Sequence, residues 1–315
     1  MVKRVLLASP RGWCAGVERA VETVERALEL YGPPVYVRRQ IVHNAHVVRE
    51  LERRGAIFVA EETDAPEGAT LVLSAHGVAP SVHANAAARG QHAIDATCPL
   101  VTKVHVQARR YAAEGYRILL IGHAGHEEVV GTTGEAPEAV TLVESLADAE
   151  ALELPPGAKV AYVTQTTLSV DETAEIVQAL RRRFPHIRAP KREDICYATS
   201  NRQWAVKELL GEVDLLLVIG SRNSSNSNRL VEVARAAGVP AHLIDDETEI
   251  ETGWLEGVET VGVTSGASAP ERLVERVSDW FRAYGVRDIK PFASVYEDVV
   301  FRLPVELRRA ETPAA

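Results

Sequence analysis

Three cysteines, Cys14, Cys98 and Cys196, carry the clearest chemical potential in this sequence. An odd number argues against a disulfide framework and leaves two readings, inert buried thiols or metal ligands. No two of them have the close spacing that a structural zinc prefers. Iron–sulfur clusters accept thiolates from distant parts of a chain and usually take four. Three thiolates on a [4Fe–4S] cluster would leave one iron without a protein ligand, an open Lewis-acid position comparable to the free site of a catalytic zinc. A cluster that only transfers electrons is usually fully ligated, so the count favours catalysis.

Polar side chains accumulate around this trio. The stretch SRNSSNSN (221–228) followed by RLVEVARAAG is a Ser/Asn loop opening a helix. Backbone N–H groups and the positive end of the helix dipole make such a place an anion site. A plain N-cap needs only one such residue. His43, His76 and His126 each lie in a polar segment just past an apolar run, and imidazoles there can donate to phosphate oxygens. Glu128 follows His126 by two residues, where a carboxyl could deliver a proton to a leaving hydroxyl; a solvated glutamate at a helix start is the plainer alternative. Thr166 offers a hydroxyl that could orient or relay.

The elements that must position these groups repeat. Before the cysteines stand VLLAS (5–9), HAIDAT (92–97) and HIRAPK (186–191), each read as extended. After Cys14 the spacing of Val17, Val21, Val24 and Leu28 predicts a helix. Second strands are expected at 34–40, 117–122 and 214–220, third strands at 56–61, 140–145 and 241–246, and fourth strands at 71–77, 159–167 and 259–268. Nearly continuous apolar strands separated by helices indicate parallel sheets covered on both faces. The expected fold is α/β, with three pseudo-threefold-related units and mostly parallel sheets around a central iron–sulfur site. The units are residues 1–97, 98–195 and 196–286, and 287–315 forms a C-terminal arm with a short strand. Ligands bind beyond the carboxyl ends of parallel strands, and the polar residues cluster at those ends.

The 315 residues include 46% hydrophobic and 25% charged residues, an ordinary globular composition. A net charge of −9 without a basic stripe disfavours nucleic-acid binding. The N-terminal apolar run is too short for a secretory signal and no stretch is long enough to span a membrane, so a cytoplasmic location is expected.

The stretches PRGWCAGVERA, QIVHN, SAHGV, DATCPLVTKVH, GHAGHEEVVGT, TQTTLSVDET, DICYATSNRQ, GSRNSSNSNRL and TSGASAP, in this order over residues 10–270, resemble the 4-hydroxy-3-methylbut-2-enyl diphosphate reductase family of the non-mevalonate isoprenoid pathway. The resemblance implies one [4Fe–4S] cluster per chain on Cys14, Cys98 and Cys196, with the substrate hydroxyl on the open iron. It implies a diphosphate held by His43, His76, His126, Ser224, Ser225, Asn226 and Ser268, with Glu128 and Thr166 delivering the proton. Ferredoxin or flavodoxin would supply two electrons, and the products would be isopentenyl and dimethylallyl diphosphates. The sequence departs from the family at Glu127, where proline is frequent. A redox-neutral hydro-lyase would also use an open iron, but its carboxylate substrates call for arginine-rich tips, whereas these are Ser, Asn and His. A cluster-based redox sensor would leave the anion loop unused.

Overall fold

The computed structural model describes residues 1–293 and 295–308. The first third of the chain contains β1 (Arg4–Ser9), α1 (Ala15–Tyr31), β2 (Val35–Arg38), α2 (Ala45–Arg53), β3 (Ala56–Val59), β4 (Thr70–Leu73), α3 (Pro80–Ala88) and β5 (His92–Asp95). The second contains α4 (Pro99–Ala113), β6 (Arg117–Ile121), α5 (Glu127–Gly134), β7 (Val140–Val143), α6 (Leu146–Ala151), β8 (Val160–Thr164) and α7 (Val170–Arg183). The last contains α8 (Tyr197–Leu209), β9 (Leu215–Ile219), α9 (Ser225–Ala236), β10 (Ala241–Ile244), β11 (Thr260–Ser265), α10 (Glu271–Tyr284), β12 (Asp288–Ala293) and α11 (Val305–Arg308).

The chain falls into two compact units. The first comprises Met1–Val17, His43–Val47 and Tyr197–Val300. Its five parallel strands are ordered β10-β9-β11-β1-β12. Strand β9, LLLVI, is buried along its whole length because both faces of the sheet are covered. Leu215, Leu217 and Ile219 face α10 through Leu273, Val277 and Phe281, while Leu216 and Val218 face α8 and α9 through Leu209, Leu230 and Ala234. Alternation of side chains along a strand assigns the two sets to opposite faces. Truncating the fully buried Phe281 to alanine is expected to cost about 3–5 kcal/mol. The expected C-terminal strand is β12, at the edge of this sheet, where Pro291 lacks a ladder donor without harm. Residues 309–315 of the expected arm lie outside the described residues.

The second unit comprises Glu18–Val42, Val48–Cys196 and the described residues from Phe301 on. It holds two parallel sheets, β3-β2-β4-β5 and β7-β6-β8. The extended segment expected at 186–191 shrinks to a single bridge, Ala161 to Arg188. Arg188 donates to the Val160 carbonyl and accepts from Tyr162. Pro190, two residues on, has no N–H with which to continue the ladder.

All three sheets share one order. The third strand of a repeat lies outside the second, the fourth lies on its other side, and beyond that comes the segment that leads to a cysteine: β5 to Cys98, the Arg188 bridge to Cys196, and β1 to Cys14. The pattern is cyclic, because β1 completes the sheet of the last repeat. We propose 97, 195 and 286 as the repeat boundaries, with β1 and β12 completing the third sheet. Among the described residues no helix is long and apolar enough to cross a membrane.

Candidate active site

Each sheet reverses its strand order between the second and fourth strands, and the crevice beyond such a switch point is where α/β sheets bind ligands. The loops leaving β2 and β4 carry His43 and His76, those leaving β6 and β8 carry His126 and Thr166, and those leaving β9 and β11 carry Ser224 and Ser268. These are the positions the sequence singled out.

The cysteines are held alike. Each one directly precedes a helix: Cys14 before α1, Cys98 before α4 and Cys196 before α8. Each donates its backbone N–H to the carbonyl two residues past a fourth strand: Cys14 to Ala267 at 3.2 Å, Cys98 to Ala75 at 3.0 Å, and Cys196 to Thr166 at 3.0 Å. None of the three is in a disulfide, and all are of intermediate exposure. A helix N-terminus favours negative charge, so these positions suit thiolates.

In the first unit the loop bearing Cys14 is braced on every side. Gly12 N donates to Ser265 Oγ at 2.8 Å, Trp13 Nε1 to the Ser268 carbonyl at 3.2 Å, and Ala15 N to the Tyr197 hydroxyl at 3.1 Å. Fully buried Arg202 donates to the Gly12 carbonyl at 2.6 Å and pairs with Glu297 at 3.1 Å. Ser224 caps α9, its Oγ accepting from Ser227 N at 3.3 Å, and Ser225 opens the helix. A Cβ on Gly266 would stand 2.0 Å from Ser227 Oγ, so glycine there lets the β11 tip close on the loop. Asn226 accepts from Ala267 N at 2.9 Å and donates to Thr199 Oγ1 at 3.3 Å. Ser268 Oγ donates to the His43 carbonyl at 2.8 Å, and His43 Nδ1 lies 3.2 Å from Asn223 Nδ2. The Ser/Asn loop, Ser268, His43 and the Cys14 loop thus form one hydrogen-bonded assembly. Sequence reasoning did not single out Thr199, Tyr197 or Arg202. Thr199, three residues past a cysteine at the start of a helix, was the findable one.

The second unit gathers His76, His126, Glu127, Glu128 and Thr166. Helix α5 lies close to α3: a Cβ on Gly134 would stand 2.3 Å from that of Ala79. Glu128 is 2% exposed and accepts from Thr166 N at 2.6 Å, and Thr166 Oγ1 donates to its other oxygen at 2.9 Å. Burial pushes the Glu128 carboxyl up to about 7, against both Thr166 hydrogen bonds, which pull it down. His126 caps α5, its Nδ1 accepting from Glu128 N at 3.2 Å. Burial first, then the neighbouring His76, lower His126 to about 4. The ring is therefore neutral near pH 7, and with Nδ1 accepting, its proton sits on Nε2 as a donor. Glu127 takes the opposite course. Burial alone would raise it, but the hydrogen bond and charge of His76, with Arg39 and Ser74, hold it below the usual range. Its Oε2 lies 3.5 Å from His76 Nδ1 and accepts from Ser74 Oγ at 3.3 Å. Two adjacent glutamates are thus driven apart, and Glu128 is the one able to hold a proton at neutral pH.

Behind Cys98 and Cys196, Arg19 donates to the carbonyls of Ala96 and Thr97 at 2.9 and 3.0 Å. Buried Asp194 accepts from Thr164 N at 3.1 Å and pairs with Lys103 of α4 at 3.0 Å, tying the two cysteine-bearing segments together.

A sequence profile of the LytB protein family matches residues 5–282. The 4-hydroxy-3-methylbut-2-enyl diphosphate reductase of Acidothermus cellulolyticus is 61% identical over 98% of this chain and 91% of its own length. That of Mycolicibacterium paratuberculosis is 61% identical over 98% and 93%. The solved structure of the E-1-hydroxy-2-methyl-but-2-enyl-4-diphosphate reductase from Plasmodium falciparum matches with a TM-score of 0.96 at 41% identity, covering 98% of both chains. With its three parallel sheets, its cysteine-bearing helix starts and its paired glutamates, the chain belongs to the LytB family of 4-hydroxy-3-methylbut-2-enyl diphosphate reductases and is an oxidoreductase.

Proposed function

We propose that this chain reduces 4-hydroxy-3-methylbut-2-enyl diphosphate to isopentenyl and dimethylallyl diphosphates. The balance is one allylic C–O bond broken, two electrons and two protons taken up, and one water released. The observation that carries the reading is the Glu128–Thr166 pair, a dry carboxyl still protonated near neutral pH and ready to give its proton to a leaving hydroxyl.

Cys14, Cys98 and Cys196 fit a [4Fe–4S] cluster: none is in a disulfide, each stands directly ahead of a helix and each is fixed by the same backbone bond. When bound, the cluster supplies the electrons and an iron open to the substrate hydroxyl. The protein's own residues do the rest. His43, His76, His126, Ser224, Ser225, Asn226 and Ser268 hold the diphosphate. The start of α9 favours its negative charge, and neutral His126 donates from Nε2. Glu128 keeps its proton on the oxygen facing Thr166 Oγ1, and Thr166 orients it by exchanging the donor role in that hydrogen bond. Glu127, ionised against His76, keeps the ring oriented rather than acting as the acid.

The test is anaerobic reconstitution with iron and sulfide, followed by turnover with reduced methyl viologen. We expect both five-carbon diphosphates as products. Replacing Cys14, Cys98 or Cys196 by serine should abolish turnover and sharply lower bound iron. A variant with full iron content and normal rate removes that residue from the ligand set.

A further inference from the structure

A reductase of this kind draws two electrons per turnover from outside, and electron transfer weakens steeply with distance. The carrier must therefore approach a cysteine-bearing segment. Two of those segments border one surface of the second unit: α4, which begins at Pro99 directly after Cys98, and residues 188–195, which run into Cys196.

A depression of about 380 Å³ lies there. Pro99, Val106 and Tyr111 contribute its apolar part, and Lys103, Arg110, Arg188 and Lys191 its cations; no acidic residue lines it. Val106 is 49% exposed, although it sits on a helix whose other valines, Val101 and Val104, are buried. Lys191 also lines a neighbouring groove of about 490 Å³, whose charged lining is Arg181, Lys191 and Arg192 with Glu193 and Asp194. Residues 181–192 hold six arginines and lysines and no acidic residue, in a chain of net charge −9. Part of this charge is already engaged: Arg110 and Arg188 share Glu114, and Lys103 pairs with Asp194. Lys191 and Arg192 stand exposed.

An exposed apolar floor ringed by cations is the complement of an acidic protein face with a small apolar centre. In a chain of net negative charge, a local cationic patch steers negative partners to that place. We infer that the surface formed by α4 and residues 188–192 receives an acidic one-electron carrier protein, which docks twice per turnover and delivers one electron each time. This inference rests on the reductase reading and adds the place of electron entry and the charge of the donor. An extended polyanion such as RNA suits the surface less well, because the cations ring a compact apolar floor instead of forming a stripe.

The test compares two donors on the reconstituted enzyme, a reduced acidic [2Fe–2S] ferredoxin below saturation and reduced methyl viologen. The double variant Lys191→Glu with Arg192→Glu should lower the ferredoxin-driven rate at low ionic strength by about tenfold or more, since steering of this kind changes association rates by 10–10³. It should flatten the salt dependence that the unaltered enzyme shows, and leave the viologen-driven rate within twofold. Arg53→Glu, an exposed charge reversal at the end of α2, should change neither. Equal ferredoxin-driven rates in variant and parent would overturn the inference. So would an equal loss with both donors, or protection of the parent by RNA at matched ionic strength. Failure of the unaltered enzyme to turn over with viologen would instead overturn the reductase reading.

Discussion

The tip of α9 and the tip of α5 both open a helix beyond a parallel strand, yet they are built from different chemistry. At α9 the groups are neutral: Ser224, Asn226, Ser227 and Ser268 hold one another and their backbone neighbours at 2.8–3.3 Å. No proton is at stake there, so the loop offers dipoles whose strength does not change with pH. At α5 every principal group titrates, and burial drives Glu128 up and His126 down. The first tip is made for holding charge and the second for moving it. The two tips therefore differ in whether their strength changes with pH.

The strongest way to break this contrast is Glu128→Gln, which keeps the shape and loses the proton. Turnover should fall roughly 10²–10⁴-fold with little change in KM. In the parent enzyme the rate should decline as pH rises through about 7, where the Glu128 acid is lost. If Glu127→Gln produced this loss and Glu128→Gln did not, the two roles would have to be exchanged.

A second test uses stability. Glu128 has a raised folded pKa, so between pH 4.5 and 7 the unfolded chain binds fewer protons than the folded one, and stability falls with rising pH by up to about 3 kcal/mol. His126 is depressed, so its contribution is complete above pH 6.5 and is lost as pH falls toward 4, with the opposite slope and similar size. The two nearly cancel in the parent. Glu128→Gln should remove the carboxyl's contribution, so the variant should gain more stability with rising pH across this window than the parent does. Urea titrations at pH 4.5 and 7 decide it; parallel curves for both proteins would count against a buried, protonated Glu128.

Ser224→Ala should have the smallest effect and a different character. Substrate binding should weaken by about 1–3 kcal/mol, read as a raised KM at nearly unchanged kcat, because one charge-assisted bond is lost. Loss of the helix cap should cost about 1 kcal/mol of stability. Neither loss should vary between pH 6 and 8, and a pH-dependent KM defect would blur the line between the two tips.

Much of this was legible in the sequence because burial on both faces leaves a strong signal. LLLVI at 215–219 and RILLI at 117–121 can hardly be anything but central parallel strands, and the polar runs after them mark the crevices. Local pattern could not supply the partners of isolated residues. HIRAPK has strand-like residues, but Pro190 limits pairing to Arg188, a limit that depends on what lies opposite. The cyclic membership of β1 reflects pairing across more than 250 residues, which periodicity cannot register. Arg202 looks like any arginine on an amphipathic helix until its carbonyl and Glu297 are seen. The choice between Glu127 and Glu128, made in the sequence from spacing alone, rests in the structure on which of them Thr166 and His76 can reach.

The way each cysteine is tethered affects how such a protein can change over time. The three thiol-bearing residues are anchored through main-chain N–H groups to main-chain carbonyls of Ala267, Ala75 and Thr166. A tether of that kind does not depend on which side chain the accepting residue carries. Substitutions around the cysteines can therefore accumulate while the three residues stay where the sheets put them. Change in the surrounding side chains and constancy of the three cysteine positions thus become separable.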